Sequence, residues 1–321
     1  MECGKLFCFG FDGLTAPDSI LYAVDHSSVG AVILFSRNCQ NATQIKSLCS
    51  KLREAGGDDL WILIDQEGGR VSRVKDPDIG PPAAGDLAKV DPEQTREAYL
   101  SMARELVALG IDFNLAPVAD VCCNADNPVI ADRAFGLTAE DVVPRVAAAV
   151  SGLTEAGMKS CAKHFPGLGD VSTDPHFTDA MSEASAASFR DMHFKPFIAA
   201  RDEGVSAIMT THLLASRLDP QRIATYSEDI VKIILREELG FGGIVITDDL
   251  EMKAISEGPP HAAWFAFEAG HDLMLICHDE EAQADALQNF STRLSGNSEA
   301  KRLLYKALDR QQPFRVADAS S

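Results

Sequence analysis

Short apolar runs recur along the chain and alternate with longer amphipathic segments. The segments between the runs carry the periodicity of helices, as in Gln94–Leu109, Val142–Glu155, Phe189–Asp202 and Asp229–Glu238. The runs themselves have the length and continuous apolar character of buried strands. They are Leu6–Phe11, Ala31–Phe35, Leu60–Ile64, Phe113–Val118, Lys159–Ala162, Ala207–Thr210, Ile244–Thr247 and Leu273–Cys277. Buried strands that alternate with helices predict a parallel sheet.

About eight strand–helix units predict the fold class. In a chain of 321 residues, this number favours a single (β/α)8 barrel of the TIM type. A doubly wound open sheet is the alternative. We expect one domain over residues 1–321, with a polar tail at about 311–321 that is frayed.

Polar motifs come directly after five of the predicted strands. The carboxyl ends of barrel strands meet at one mouth, where barrel enzymes have their active sites. We therefore expect the five motifs to form one site. They are Asp65-Gln66-Glu67-Gly68-Gly69-Arg70, Asp120, Lys163-His164, Thr211-His212 and Asp248-Asp249.

Charge and composition narrow the classes of partner. The 29 basic and 48 acidic residues give a net charge of −19, which argues against nucleic acid or an anionic membrane as the main partner. No apolar run reaches the length of a membrane span, and the first residues do not resemble a signal peptide. The eight cysteines form no C-x-x-C pair, which is typical of reduced thiols. We expect a cytoplasmic monomer.

The stretch between Lys163 and His176 has the highest density of chemically active side chains. Charged and titratable groups gathered where a strand gives way to a loop indicate binding or catalysis. Asp174 can fix the tautomer of His176, so the two form a candidate dyad. A solvated loop histidine beside an aspartate is the alternative interpretation.

Asp248 and Asp249 supply carboxylates at the end of the seventh strand. We expect at least one of them to be catalytic. The alternative role is to cap the next helix, which we expect of one of the two. Zinc-binding spacings, a nucleophile elbow and a P-loop are absent from the sequence. We therefore predict a site without a metal ion or an organic cofactor.

Four motifs together resemble those of the family-3 glycoside hydrolases. The resemblance is to the branch of single-domain bacterial β-N-acetylhexosaminidases of cell-wall recycling, and it runs from about Phe9 to Cys277. The motifs are Ile64-Asp65-Gln66-Glu67-Gly68-Gly69-Arg70-Val71, Asn127-Pro128-Val129-Ile130-Ala131-Asp132-Arg133-Ala134-Phe135-Gly136, Lys163-His164-Phe165-Pro166-Gly167 and Thr247-Asp248-Asp249-Leu250.

The resemblance implies a (β/α)8 barrel and a retaining, double-displacement mechanism. Asp248 matches the family's nucleophile, His176 its acid/base on a mobile loop, and Asp174 the loop aspartate. The implied activity is an exo-β-N-acetylglucosaminidase that releases terminal GlcNAc from cell-wall muropeptide fragments. Its partner would thus be a small carbohydrate. The implied sugar-binding residues are Asp65, Arg73, Arg133, Lys163 and His164.

Three departures from the branch fall near the loop of His176. This chain has Leu168 where the branch usually has a histidine, and Pro175 where the branch often has a serine. Residues 177–180 lack the usual small-residue turn that ends in proline. They put the resting shape of the loop and the leaving-group subsite in question. The alternatives are a glycoside phosphorylase and an inactive sugar-binding protein. If His176 is not the acid/base, Glu67 and Asp179 are the next candidates.

Overall fold

Ten strands occur in the part of the chain that the computed structural model describes, which is residues 2–76, 79–124, 126–171 and 180–315. In chain order they are β1 (Phe7–Phe9), β2 (Ala31–Leu34), β3 (Trp61–Ile64), β4 (Phe113–Asn114), β5 (Lys159–Phe165), β6 (Ala180–Ser182), β7 (Ala207–Thr210), β8 (Leu213–Ala215), β9 (Ile244–Asp249) and β10 (Leu273–Ile276). Eight of them close into a parallel barrel in the order β1-β10-β9-β7-β5-β4-β3-β2, and β6 pairs with β8 in a separate two-stranded sheet.

Closure of the sheet decides between the two predicted architectures. The first and last strands pair in parallel, with Phe7 opposite Met274 and Phe9 opposite Ile276. The predicted (β/α)8 barrel is therefore confirmed, and the doubly wound open sheet is wrong. Two strands extend beyond the apolar runs that predicted them. β5 continues to Phe165 and β9 to Asp249. The chemically active residues at these two ends are consequently held by the barrel ladder.

Helices surround the barrel. Their bounds are α1 (Asp18–His26), α2 (Ala42–Gly56), α3 (Ala84–Leu87), α4 (Pro92–Ala108), α5 (Ala139–Glu155), α6 (Ala186–Ser188), α7 (Phe194–Asp202), α8 (Pro259–Ala269), α9 (Glu280–Leu294) and α10 (Ser298–Gln311). The predicted helix Phe189–Asp202 begins with a π-helical turn, and Asp229–Glu238 is π-helical throughout. None of the helices described here is both long and apolar enough to cross a membrane.

The barrel interior is filled by alternate side chains of its strands. Trp61, Phe113, Met209 and Leu275 are among them, and each is almost fully buried. All eight cysteines lie within the described ranges and all are free, which agrees with the prediction of reduced thiols. Burial raises the pKa of the Cys161 thiol, so this side chain acts as a small hydrophobic residue in the barrel.

The end of α10 closes the amino-terminal end of the barrel. Gln311 is fully buried, and its amide donates hydrogen bonds to the carbonyls of Lys5 and Asp272. The guanidinium of Arg315 lies 4.2 Å from the ring centre of Trp61. The expected fraying is therefore wrong as far as Arg315, because these contacts anchor the chain. Residues 316–321 lie outside the described ranges, and the extent of the domain over 1–321 stays a prediction.

We expect a buried histidine to make folding sensitive to acid. The ring nitrogens of His271 lie 2.8 Å from Thr210 Oγ1 and 2.9 Å from the Ala266 carbonyl. Burial lowers the pKa of His271 from 6.5 to about 4. The unfolded chain therefore binds a proton at a higher pH than the folded chain. The free energy of unfolding should fall by up to roughly 3 kcal/mol as the pH drops through this window.

Urea unfolding at several pH values checks this expectation. The His271→Gln variant keeps polar atoms near Thr210 and Ala266 but cannot take up the proton, so its stability should vary less with pH in the same window. Identical pH dependences for the wild type and His271→Gln would contradict the assignment.

Candidate active site

A cavity of about 280 Å³ opens at the carboxyl ends of the barrel strands. Residues at the ends of β2, β3, β5, β9 and β10 contribute to its wall, so motifs that are distant in the sequence meet there. Six of the residues predicted to form the site line this cavity. They are Asp65, Arg73, Arg133, Lys163, His164 and Asp248.

Lys163 is the centre of a charged cluster on one side of the cavity. Its Nζ atom lies 2.6 Å from Asp65 Oδ1 and 2.6 Å from Glu67 Oε1. Burial alone would lower the pKa of Lys163, but the two carboxylates raise it above its usual value. The lysine therefore stays protonated and can donate hydrogen bonds to a ligand hydroxyl.

Arg133 and Glu67 form a bidentate ion pair behind Lys163. Both N–O distances are 2.8 Å, and the glutamate side chain is only 5% exposed. Burial would raise the pKa of Glu67, yet Arg133 and Lys163 together hold it well below its usual range. Glu67 is thus ionised and fully engaged. The structure argues against it as an alternative proton donor, because an acid must hold a proton near working pH.

Asp120 fixes the ring of His164. Its Oδ2 atom lies 2.7 Å from His164 Nδ1 and accepts the backbone N–H of the same residue at 3.1 Å. Its Oδ1 atom accepts the backbone N–H of Leu168 at 2.7 Å. With Nδ1 occupied, Nε2 of His164 is left 3.5 Å from the Arg133 guanidinium at the cavity wall. Asp120 is a positioning residue that the sequence indicated only by its place after a strand.

Arg73 lies on the opposite side of Asp65 from Lys163. Its Nη2 atom is 3.2 Å from Asp65 Oδ2, and its guanidinium lies 5.5 Å from the ring centre of Phe35. Burial opposes ionisation of Asp65, but Lys163 and Arg73 lower its pKa below the usual value. Asp65 is therefore a carboxylate acceptor between two cationic donors, an arrangement that suits neighbouring sugar hydroxyls.

Asp248 and Asp249 both face the cavity at the end of β9. The backbone N–H of Asp249 donates to Asp248 Oδ1 at 2.8 Å, and the Asp249 side chain accepts the N–H of Glu251 at 3.2 Å. The next helix begins only at Pro259, so the alternative role of helix capping is wrong for both residues. No basic side chain among the described residues forms an ion pair with Asp248, which leaves its carboxylate available to a ligand.

His278 is a site residue that the sequence reasoning missed. Its Nε2 atom lies 3.3 Å from Asp249 Oδ2, and this hydrogen bond raises the pKa of His278. Glu251 holds the segment in place by accepting the backbone N–H groups of residues 277–279 at 2.5–2.8 Å. A signal was present, because His278 follows β10 as the other polar motifs follow their strands.

Known proteins are similar to this chain in sequence and in fold. The glycosyl hydrolase family 3 N terminal domain matches residues 14–310. The chain belongs to this family. A protein named beta-hexosaminidase from Alkalilimnicola ehrlichii is 38% identical over 273 residues, which cover 82% of this chain and 78% of that protein. The predicted family and enzyme class, a glycoside hydrolase, are therefore confirmed.

Solved structures of family 3 superpose closely on the barrel. A β-N-acetylglucosaminidase from Paenibacillus sp. gives a TM-score of 0.92 at 35% identity, and this chain is wholly covered while it spans 64% of that longer chain. A β-N-acetylhexosaminidase from Beutenbergia cavernae gives 0.91 at 31% identity, with 98% and 97% coverage. NagZ from Neisseria gonorrhoeae, solved in complex with N-trifluoroacetyl-D-glucosamine, gives 0.80 at 27% identity, with 96% and 98% coverage.

The predicted acid/base pair of this family 3 protein, His176 and Asp174, lies outside the described residues, as does Pro175. Leu168, at the other departure, is 1% exposed and packs in the hydrophobic core. Its carbonyl accepts a hydrogen bond of 2.6 Å from the Asn127 amide. Leu168 is thus held in the hydrophobic core rather than exposed to a ligand.

The Glu67→Gln substitution should destabilise the fold and weaken sugar binding. It would leave the buried cations Lys163 and Arg133 with one carboxylate fewer, which should cost about 3 kcal/mol of unfolding free energy. Glu93→Gln is a matched control, since Glu93 also pairs with an arginine, Arg96, but is 57% exposed. Denaturant unfolding and calorimetric binding of GlcNAc check both variants. Equal stability of the two variants would show that the buried pair is energetically unimportant.

Proposed function

We propose that the protein is a retaining exo-β-N-acetylglucosaminidase, which removes terminal GlcNAc from the non-reducing end of its substrate. The observation that carries this proposal is that Asp248 and the charged cluster around Lys163 line the same small cavity. A carboxylate without a cationic partner suits attack on the anomeric carbon, and paired donors and acceptors suit the ring hydroxyls.

The size of the cavity supports exo action. At about 280 Å³ it lies just below the range for small-molecule sites, roughly 300–1,000 Å³. Such a volume suits a single terminal sugar. The relative from Neisseria gonorrhoeae, solved with a derivative of glucosamine, further supports an N-acylated amino sugar as the bound unit.

The proposed reaction has two displacements. In the first, Asp248 attacks the anomeric carbon as the glycosidic C–O bond breaks, and an acid protonates the leaving oxygen. In the second, water attacks the glycosyl ester and gives its proton to the same group, which releases GlcNAc and regenerates the Asp248 carboxylate. We assign the acid/base role to His176, oriented by Asp174, because an imidazole with an ordinary pKa of ~6.5 can do both near neutral pH.

The sugar ring would be held by the charged cluster. Asp65 accepts hydrogen bonds from ring hydroxyls, while Arg73, Arg133, Lys163 and the ring of His164 donate or exchange them. The proposed substrate is a GlcNAc-containing muropeptide fragment, and the proposed setting is a cytoplasmic monomer without metal or organic cofactor. Support for this finer assignment comes from the motifs shared with the cell-wall-recycling branch.

Activity on a panel of p-nitrophenyl glycosides, followed by NMR, tests the proposal. We expect turnover of the β-GlcNAc glycoside, with β-GlcNAc as the first anomer formed. First formation of the α-anomer would contradict the retaining mechanism. Formation of a sugar phosphate only when phosphate is present would identify a phosphorylase. No turnover of any glycoside would favour an inactive sugar-binding protein.

A further inference from the structure

Thr211-His212, the motif that follows β7, has no role in the proposed reaction so far. Both residues are fully buried, and neither lines the catalytic cavity. His212 lines a separate and larger cavity of about 870 Å³, which shares no described residue with the catalytic one. A buried histidine at this place in a barrel, outside the cavity but beside the strand of the proposed nucleophile, needs another explanation than contact with the sugar.

The end of β9, which carries Asp248, is not held by a regular ladder of backbone hydrogen bonds. On the β7 side, the last pair of the ladder is Thr210 with Thr247. On the β10 side, the register shifts between Leu273 and Leu275, opposite this segment. Irregularities of this kind redirect side chains and are common beside active sites. The direction of the Asp248 carboxylate therefore depends on contacts other than the ladder.

Side-chain hydrogen bonds take the place of the ladder on both sides of Asp248. On the β10 side, Thr247 Oγ1 accepts the backbone N–H of Leu275 at 3.0 Å. On the β7 side, His212 Nε2 lies 2.9 Å from the backbone carbonyl of Asp249. His212 and Asp249 each lie two residues beyond the last pair of β7 and β9, so this bond continues the pairing of the two strands in the same register.

The imidazole of His212 is held at both ring nitrogens. Because a carbonyl oxygen only accepts hydrogen bonds, Nε2 carries the proton that is donated to Asp249. Nδ1 lies 2.7 Å from Oγ1 of Thr225, which is also fully buried. The Thr225 hydroxyl lies 3.1 Å from the carbonyl of Thr211 and can donate to either group. The motif, Thr225 and the end of β9 thus form one buried network, and such networks make their surroundings rigid.

We propose that His212 is a positioning residue for the nucleophile. This inference rests on the proposed function, in which Asp248 attacks the anomeric carbon. The backbone N–H of Asp249 donates to Asp248 Oδ1 at 2.8 Å, and the Asp249 carbonyl accepts from His212 and, at 3.1 Å, from the N–H of Met252. Holding that carbonyl holds the backbone of Asp249, and with it the N–H that orients the carboxylate of Asp248. A displacement of about 1 Å at a reacting group can cost on the order of 10²-fold in rate.

Two amide substitutions of His212 separate its hydrogen bond from its bulk. His212→Gln keeps an N–H donor near the position of Nε2, whereas the shorter His212→Asn loses the bond to Asp249. We expect kcat to fall about 100-fold in His212→Asn and by less than about fivefold in His212→Gln, with KM little changed. The fall should be equal on p-nitrophenyl β-GlcNAc and on a natural disaccharide, because attack by Asp248 is needed for both. Steady-state kinetics on the two substrates measure these effects.

The rate of covalent labelling by a saturating 2-fluoro sugar reports on the nucleophile directly. His212→Asn should be labelled completely at Asp248 but about 100-fold more slowly than the wild type. His271→Asn is the matched control, because it replaces another buried histidine, which bonds Thr210 and not the end of β9. This control should be labelled at the wild-type rate even if it unfolds more easily.

Several results would overturn the role of His212. They are labelling of His212→Asn at the wild-type rate, whether complete or not, equal slowing in His212→Gln and His212→Asn, and a loss that depends on the leaving group. A wild type that the sugar never labels would instead refute the proposed function. Amide hydrogen exchange over residues 244–252 then still tests the contact without turnover. Faster exchange in His212→Asn than in His212→Gln would support it, and equal exchange in the two variants would overturn it.

Discussion

The Asp248→Asn variant should lose kcat by a factor on the order of 10⁴ or more on any GlcNAc glycoside. The amide cannot form the glycosyl ester, whereas the sugar contacts around Lys163 remain, so KM should change little. The carboxylate of Asp248 faces the cavity, and its Oδ1 atom accepts the neighbouring backbone N–H at 2.8 Å. The substitution is nearly isosteric, and the variant should fold normally. Steady-state kinetics on p-nitrophenyl β-GlcNAc measure the effect.

Asp249→Asn is the control for that result. Asp249 lies one residue further along β9, and its side chain contacts His278 and the N–H of Glu251, so its loss should act through loop geometry and be smaller. A 2-fluoro sugar should become covalently attached to Asp248 in the wild type. Attachment to Asp249 would instead overturn the assignment of the nucleophile.

Loss of His176 should depend strongly on the leaving group. The His176→Ala variant should lose kcat/KM on a natural disaccharide by on the order of 10²–10⁴, the range that general acids supply. On p-nitrophenyl β-GlcNAc, the first step should slow far less, because a nitrophenolate leaves without protonation. Azide should partly restore the second step, since it attacks the glycosyl ester without a base. Pre-steady-state kinetics with both substrates measure the two steps separately.

His278→Ala distinguishes the two histidines that matter here. His278 lines the catalytic cavity and is bonded to Asp249, so it is a competing candidate for the acid. If His176 is the acid/base, only His176→Ala should show dependence on the leaving group and rescue by azide. The same behaviour in His278→Ala, together with uniform losses in His176→Ala, would transfer the role to His278.

The sequence predicted the barrel and its catalytic mouth because both follow from local order. A buried strand is visible in the sequence as a continuous apolar run. The residues that follow it lie at the carboxyl end of that strand, whichever strands pair with it. Lys163 and Asp248 could therefore be placed at the mouth from the chain alone. The family resemblance added their catalytic and binding roles. Membership of the family is confirmed, whereas the roles stay predictions.

Tertiary structure decided which side chains neutralise each other. Glu67 meets Arg133 across 66 positions of sequence, and Asp120 meets His164 across 44. No local pattern encodes such pairs, because they exist only once the sheet has closed. In the closed barrel, Glu67 is an ionised carboxylate paired with Arg133 and Lys163, so it is not available as a proton donor. It likewise brought His278 beside Asp249, although each residue follows its own strand as an ordinary polar motif.

The short sheet and the larger of the two cavities show the same limit on a smaller scale. β6 and β8 have three residues each, too few for a periodic signal, and they pair because the barrel brings their segments together. This cavity, of about 870 Å³, takes its wall from residues between Ala180 and Leu303. The sequence by itself thus determined the elements and the mouth of the barrel, through covalent order and hydrophobic periodicity. Ion pairs and cavities were decided only by packing between segments far apart in the chain.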